Sequence, residues 1–121
     1  MKALGTYIFA GGFTLGVKKH FDVEAHFEMK PGLYKKTAKA NFPDLPIYEG
    51  EDEWPRKKYK DKIDFVYCNP PCAPWSNLGT TQKGGMAWKD DPRIECWRNS
   101  FNLLKELRPS AIAIESVPRV Y

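Results

Sequence analysis

Short apolar runs that end at glycine or proline recur along the chain and predict β-strands. Runs of four to eight residues rich in β-branched and aromatic side chains are typical of buried strands. Five such runs are present, at residues 3–10, 22–29, 45–50, 62–68 and 111–117. The second run alternates apolar and polar positions, so we expect one face of that strand to carry Val23, Ala25, Phe27 and Met29.

Helices are predicted between these strands. Residues 13–21 and 31–42 fit short helices, whereas 51–62 is polar and predicts a connection. The clearest helix is 91–107, in which Asp91 suits the N-cap and Pro92 the first helical position. Its apolar positions at helical spacing are Ile94, Trp97, Phe101 and Leu104.

The alternation of strands and helices predicts an α/β fold with a mainly parallel sheet. Parallel neighbours need a crossover connection, which is usually a helix. Ligands bind such sheets at the carboxyl ends of the strands. Two turns are expected there: Gly11-Gly12, after the first strand, and the Asn-Pro-Pro-Cys sequence at 69–72. With 121 residues, the chain is predicted to form a single domain.

Composition excludes several classes of protein. No apolar run approaches the roughly 20 residues of a membrane span, and we expect a cytoplasmic protein. The net charge of +4 is mild, and the basic run at 56–62 is more typical of a solvated loop than of a phosphate-binding patch. Three cysteines make a disulfide framework improbable. Prolines between Cys68 and Cys72, with both histidines distant in sequence, disfavour zinc.

The glycine turn and an acidic residue downstream suggest a nucleotide-type cofactor. Gly11-Gly12 could be only a tight connection, or it could let a cofactor approach the backbone. Glu28 ends the second predicted strand, roughly 20 residues later, where folds of this class bind a ribose hydroxyl. A phosphate-binding loop of the GxxxxGK[ST] type is absent from the sequence, which favours a nucleoside without a triphosphate.

Cys72 and Glu115 are candidates for catalysis. A cysteine on a turn at the open edge of a sheet can act as a nucleophile, although a lone cysteine is more often a buried apolar group. Glu115 interrupts the apolar run 111–117 at the end of the last predicted strand. We expect burial there to favour its protonated form, which could donate a hydrogen bond.

Six segments occur in the order of the DNA (cytosine-5) methyltransferase motifs, and the chain resembles the N-terminal catalytic part of that family. They are "FAGGFTLG" (9–16), "HFE" (26–28), "ANFP" (40–43), "NPPCAPWSNLG" (69–79), "DPR" (91–93) and "RPSAIAIESVP" (108–118). The pairing of Pro-Pro-Cys with a Glu-x-Val strand about forty residues later is the most specific feature. The resemblance implies a Rossmann-like methyltransferase core.

The resemblance also implies a reaction, a cofactor and a set of site residues. The family transfers a methyl group from S-adenosylmethionine to carbon 5 of a cytosine that is flipped out of DNA. Its cysteine, here Cys72, adds to carbon 6, and its glutamate, here Glu115, contacts ring nitrogen 3 and the exocyclic amine. The implied cofactor contacts are Phe9, Gly11, Gly12, Glu28 and Pro71. The implied DNA or substrate contacts are Ser76, Lys83 and Arg93.

The sequence lacks some features of the family. The first glycine motif is shorter, and Asn69, Ala73 and Ser116 differ from the usual residues. The later arginine motif, the target-recognition domain and the final cofactor motif have no counterpart, so we predict a core that is incomplete at its C-terminus. A fragment, a split enzyme with a second polypeptide, and a non-catalytic cofactor- or DNA-binding module remain open. Asn-Pro-Pro also resembles the amino-methyltransferase motif, although Cys72 stands where those enzymes have an aromatic residue.

Overall fold

The computed structural model of the chain describes residues 1–29, 34–76 and 88–118, which contain a five-stranded parallel sheet. The spatial order of the strands is β3-β2-β1-β4-β5, and each neighbouring pair is parallel. The strands are β1 (Lys2–Thr6), β2 (Asp22–Glu28), β3 (Ile47–Glu49), β4 (Phe65–Cys68) and β5 (Ala111–Ile114). This confirms the predicted α/β class, and the arrangement is Rossmann-like.

Within the residues that the structure describes, four α-helices and two short 3₁₀ segments lie between the strands. The helices are α1 (Gly12–Val17), α2 (Lys35–Asn41), α3 (Arg56–Tyr59) and α4 (Ile94–Leu107), and the 3₁₀ segments are Glu51–Glu53 and Trp88–Asp90. The prediction of a plain polar connection over 51–62 is wrong, because Trp54 and Tyr59 from this segment are buried in the core. Among the described residues, no helix is long and apolar enough to cross a membrane.

The start of α4 differs from the predicted one. Asp91 is not its N-cap, because the helix begins at Ile94 with Arg93 as the cap residue. Backbone carbonyls at 91–93 accept from the amides three residues later, at 3.0–3.2 Å, so a tight turn precedes the helix. The buried face also differs, since Phe101 is 48% exposed and the buried positions are Cys96, Trp97, Ser100, Leu103 and Leu107.

Helices cover both faces of the sheet and create two apolar layers. On one face Leu103 and Leu107 of α4 and Tyr59 of α3 pack in the same cluster as residues of β1, β2 and β4. On the opposite face Val17 of α1 and Ala38 of α2 share a second cluster. The chain therefore forms the three-layer sandwich expected of a doubly wound sheet.

A register irregularity in β2 changes which residues share a face. The pairing of β1 with β2 shifts between Ala3 and Leu4, where one additional residue is accommodated in β2. As a result Val23 packs in one apolar cluster, whereas Ala25 and Phe27 pack in the other. The prediction that all four alternating positions lie on one face is wrong for Val23, because side-chain alternation continues only through unbroken pairing.

The strand order places the functional edge at β1 and β4. The chain moves from β1 outward to β2 and β3, then returns to pair β4 with the other side of β1. Such a reversal is the topological switch point of an open α/β sheet, where a crevice forms beyond the carboxyl ends of the strands. The glycine turn follows β1 and the Pro-Pro-Cys loop follows β4, so both border this crevice.

Candidate active site

The turn after β1 has an unusual backbone. Tyr7 and Phe9 have positive φ angles of 53° and 50°, and Gly11 has a φ of 92°. Positive φ is costly for residues other than glycine, so this turn stores strain that the surrounding packing must offset. Hydrogen bonds hold it: the Tyr7 amide donates to the Phe27 carbonyl at 2.8 Å, and the Gly11 amide donates to the Ile8 carbonyl at 2.8 Å.

The two glycines of the turn differ in the space that a side chain would have. A Cβ on Gly11 would lie 2.2 Å from Cε2 of Phe42, so the fold itself excludes a side chain there. A Cβ on Gly12 would meet nothing within 4 Å, and Gly12 is exposed. Packing therefore explains Gly11 without a ligand, whereas at Gly12 the backbone faces open space that a ligand could use.

Glu28 is a buried carboxyl at the end of β2, beside the same turn. It is 6% exposed, and its Oε1 accepts from the Phe9 amide at 3.2 Å. Burial raises the pKa of Glu28 to about 7, although backbone amides of Ile8, Phe9 and Met29 oppose the shift. The carboxyl changes its charge near neutral pH, and it lies where a ribose hydroxyl binds in folds of this type.

A second polar cluster links the turn to α4. The Tyr7 hydroxyl donates to Oε1 of Glu51 at 3.0 Å, and the Cys96 thiol lies 3.8 Å from the same oxygen. Burial raises the pKa of Cys96 to about 11, so this thiol is protonated at neutral pH. Neither interaction has a signal in the sequence, because Glu51 is 45 residues from Cys96 and 44 from Tyr7.

Cys72 lies in a short loop beyond the carboxyl end of β4, residues 69–76, which we call the Cys72 loop. The Asn69 amide donates to the Thr6 carbonyl at 3.0 Å and anchors the entry of this loop to β1. The Cys72 carbonyl then accepts from the amides of Trp75 at 3.0 Å and Ser76 at 3.1 Å. Cys72 is half-buried and its thiol is free. Cys72 thus lies in a closed turn and is not among the buried residues of the apolar clusters.

Trp97 of α4 contacts this loop, and an Asp91–Arg93 pair precedes the helix. The Trp97 indole Nε1 donates to the carbonyl of Pro71 at 3.0 Å. Buried Asp91 accepts from Arg93 through Nε at 2.9 Å and through the second guanidinium nitrogen at 2.6 Å. Asp91 raises the pKa of Arg93, and Cys72 is near enough to add to this effect. The sequence showed no signal for the Trp97 contact.

Glu115 follows β5, the neighbour of β4, but it is not buried. Its amide donates to the Cys68 carbonyl at 3.0 Å, which places it at the same edge of the sheet as the Cys72 loop. The side chain is exposed, so the expectation of a desolvated carboxyl is wrong. The reason is that β5 pairs only with β4 in the described part of the chain and is itself exposed, with Ile112 at 52%. Among the described residues, β5 is therefore an edge strand and not a buried one.

The remaining predicted contacts are placed as follows. Ser76 ends the turn after Cys72, and its hydroxyl donates to the Ala73 carbonyl at 3.4 Å. Lys83 lies outside the described residues. The other two thiols, Cys68 and Cys96, are free and buried, and burial raises the pKa of Cys68 to about 11. Of the three thiols, Cys72 is the accessible one.

These residues fit a nucleoside cofactor beside a thiol. Glu28 offers a carboxylate at the end of β2, Gly12 leaves its side open, and the Cys72 loop borders the same crevice at the end of β4. The structure therefore brings Phe9, Gly11, Gly12, Glu28, Pro71 and Cys72 to one edge of the sheet, with Glu115 on the adjacent strand.

Comparison with known proteins finds similar sequences among methyltransferases. The chain is 31% identical to the Type II methyltransferase M1.HphI of Haemophilus parahaemolyticus, over 93% of this chain and 31% of that protein. It is 34% identical to the Type II methyltransferase M.NgoMIV of Neisseria gonorrhoeae, over 89% of this chain and 33% of that protein. A chain from a complex of the Haloferax volcanii Trm112 methyltransferase activator aligns with a TM-score of 0.42, at 15% identity over 60% of this chain and 33% of that chain, too weak a match to support an argument.

The chain spans about a third of the length of the curated relatives that it matches. The family model for C-5 cytosine-specific DNA methylases matches residues 3–121, which is nearly the whole sequence. The chain belongs to the C-5 cytosine-specific DNA methylase family.

Proposed function

We propose that this chain is the cofactor-binding and thiol-bearing part of a DNA (cytosine-5) methyltransferase. One observation carries the proposal: half-buried Cys72 and the buried Glu28 carboxyl lie at the carboxyl ends of β4 and β2, the two strands that flank β1. Family membership indicates the reaction class, and this geometry supports the proposal of a nucleophile beside a nucleoside site.

The proposed cofactor is S-adenosylmethionine, whose sulfonium supplies an electrophilic methyl group. Glu28, once ionised, would accept hydrogen bonds from the ribose hydroxyls, while Phe9, Gly11 and Gly12 would line the adenosyl moiety. Pro71 would border it on the side of the Cys72 loop. The open space at Gly12 and the positive φ at Phe9 support this assignment, because glycines and strained backbone are common in proteins where a ligand lies close to the main chain.

In the proposed reaction, Cys72 acts on a cytosine flipped out of the duplex. Cys72 would lose its thiol proton to a base, and the thiolate would form a bond to carbon 6, so that the electron pair of the 5,6 double bond moves onto the ring and carbon 5 gains nucleophilic character. Glu115 would contact ring nitrogen 3 and the exocyclic amine and stabilise the charge that develops on the ring. Carbon 5 would then form a bond to the methyl carbon of S-adenosylmethionine, while the bond from that carbon to the sulfonium sulfur breaks and S-adenosylhomocysteine leaves. Loss of the carbon-5 proton to a base and cleavage of the bond between Cys72 and carbon 6 would restore the 5,6 double bond and release the Cys72 thiolate.

Exposure of Glu115 is compatible with this role. The base that enters the site would cover the carboxyl and remove water from it, which strengthens its hydrogen bonds in the complex. Ser76, Arg93 and Lys83 are proposed to contact DNA or the target nucleotide.

DNA and further polypeptide are the proposed partners. The matched relatives are Type II methyltransferases, which suggests a place in a bacterial or phage restriction-modification system and a cytoplasmic location. Since the chain spans about a third of their length, we propose that additional polypeptide supplies target recognition and covers β5. It could come from a longer form or from a second chain. The 121 residues are proposed to form one domain.

The proposal is tested by covalent trapping. The chain and a Cys72→Ala variant are incubated with S-adenosylmethionine and duplex DNA that contains 5-fluorocytosine, and adducts are measured by denaturing mass spectrometry. Fluorine cannot leave as a proton does, so a working cysteine stays attached to the base. A Cys96→Ala variant is the matched control, because this buried thiol is protonated at neutral pH and should not react.

We expect an adduct that Cys72→Ala abolishes and Cys96→Ala retains. The assay is repeated with the product of an adjacent reading frame that carries the remaining family motifs. An adduct only in the mixture would identify a split enzyme. Methylation of an exocyclic nitrogen without an adduct would favour the amino-methyltransferase alternative. If neither adduct nor methylation forms under either condition, the chain is a cofactor- or DNA-binding module and the proposal is wrong.

A further inference from the structure

The Cys72 loop has few backbone donors with which to attach itself to the fold. Pro70, Pro71 and Pro74 have no N–H group, so within residues 69–76 only five backbone amides can donate. The Asn69 amide holds the start of the loop, and the amides of Trp75 and Ser76 both donate to the Cys72 carbonyl inside it. Few amides therefore remain to attach the middle of the loop, which gives its carbonyl groups a larger share in that attachment.

Trp97 provides such an attachment. Its indole Nε1 donates to the Pro71 carbonyl, the residue directly before Cys72, at 3.0 Å. Its ring also meets Trp75 edge to face, with 4.9 Å between ring centroids, three residues after Cys72. Trp97 is 6% exposed and lies in the first turn of α4, the longest helix of the described chain. One buried side chain thus contacts the loop on both sides of the thiol.

We propose that Trp97 is a positioning residue for Cys72, and that its indole N–H fixes the turn that presents the thiol. The prolines keep the backbone stiff on both sides of the cysteine but cannot fix the turn relative to the sheet. The hydrogen bond from Trp97 supplies that constraint, because it ties the loop to a rigid helix instead of to another loop.

The first test uses the chain alone and does not depend on the proposed function. Amide hydrogen exchange is measured by NMR for Trp75 and Ser76, whose bonds to the Cys72 carbonyl exist only while the turn is closed. Alkylation of the Cys72 thiol by iodoacetamide is followed in parallel by mass spectrometry. Loss of a single neutral hydrogen bond should increase both the rate of amide exchange and the rate of alkylation by about three- to ten-fold.

Two substitutions separate the hydrogen bond from packing. Trp97→Phe keeps an aromatic ring but removes the donor. Replacement of Trp97 by 3-benzothienylalanine keeps the shape of the indole and replaces N–H with sulfur, so this variant folds even if the cavity in Trp97→Phe is too costly. Trp54→Phe is the matched control, because the Trp54 indole also donates to a backbone carbonyl, that of Glu28 at 3.1 Å.

We expect faster exchange at Trp75 and Ser76 and faster alkylation in both Trp97 variants, with the amides of β4 unaffected. Trp54→Phe should leave the loop amides unchanged. The inference is overturned if the benzothienyl variant exchanges at the rate of the parent chain, since packing alone would then position the loop. Acceleration at all amides alike, in either variant, would also overturn it, because that result indicates global destabilisation.

A second readout rests on the proposed function. In the trapping assay, Trp97→Phe should slow adduct formation about three- to ten-fold while the affinity for DNA changes less than two-fold. If the parent chain forms no adduct, the proposed function is at fault, whereas the exchange experiment still decides the role of Trp97. If adduct formation is unaffected while the loop amides exchange faster, Trp97 holds the loop but does not position the thiol for reaction, and the proposal fails in that respect.

Discussion

Replacing Glu28 with glutamine should change how the stability of the chain depends on pH. Glu28 is buried, and burial raises its pKa from 4.5 to about 7. Glutamine has nearly the same shape, and its carbonyl can still accept from the Phe9 amide, which lies 3.2 Å from Oε1 in the parent chain. The substitution therefore removes the titration and retains most of the packing.

The magnitude follows from the difference between the folded and unfolded states. One pKa unit corresponds to about 1.4 kcal/mol. Between pH 4.5 and 7 the folded chain holds the Glu28 proton more tightly than the unfolded chain does, so stability falls as pH rises. From pH 5 to pH 8 this single group should lower the free energy of unfolding by about 2 to 3 kcal/mol.

Buried His26 acts in the opposite direction. Burial and the charge of Lys18 lower its pKa from 6.5 to about 4, so the folded state holds it neutral. Its contribution to stability is present above pH 6.5 and is lost as pH falls through the folded pKa. The two groups therefore offset each other in the parent chain over roughly pH 4.5 to 6.5. In Glu28→Gln the effect of His26 is unopposed, and stability should rise with pH.

The assay is urea unfolding of both chains at pH 5 and pH 8. The free energy of unfolding of Glu28→Gln is subtracted from that of the parent chain at each pH, and the change in this difference from pH 5 to pH 8 is the double difference. The effects of His26 and of the exposed carboxyls cancel in it, because both chains contain them. An Asp52→Asn variant, which changes an exposed carboxyl near the same edge of the sheet, should follow the parent chain. A double difference below about 0.5 kcal/mol for Glu28→Gln would show that the carboxyl is solvated, and the reasoning would be refuted.

Three further substitutions test the packing around the site. Gly11→Ala should lower the free energy of unfolding by about 2 to 4 kcal/mol, because the added Cβ would lie 2.2 Å from the Phe42 ring at a φ of 92°. Gly12→Ala should change the free energy of unfolding by less than about 1 kcal/mol. Equal losses in the two variants would contradict the inference that packing excludes a side chain at Gly11 but not at Gly12. Tyr67→Phe should cost about 1 to 2 kcal/mol, because the Tyr67 hydroxyl lies 2.9 Å from the Thr14 hydroxyl and 3.2 Å from Nε2 of His26 in a buried cluster. Denaturant unfolding measures each effect, and a neutral result for Tyr67→Phe would mean that water replaces the lost group.

Much of the fold was predictable because it depends on local chemistry. Strand-length apolar runs and intervening helical periodicity predicted all five strands and three of the four α-helices found among the described residues. The edge at which Cys72 and the glycine turn meet was also predictable, because parallel strands with crossover connections share one carboxyl edge. The errors arose where the side a residue faces depends on the neighbouring segment. The register shift between β1 and β2 places Val23 on the opposite face from Ala25, and Phe101 of α4 is exposed.

The sequence alone determined the class of the fold, the order of its motifs, and the presence of a thiol after a buried strand. These properties follow from the spacing of apolar residues along the chain and from residue types that restrict the backbone, such as the prolines around Cys72. Only the tertiary structure decided the exposure of Glu115, the burial of Glu28, and the bond from Trp97 to the Pro71 carbonyl. Each of these depends on which segments meet in space, and no local pattern encodes a contact between residues 26 positions apart.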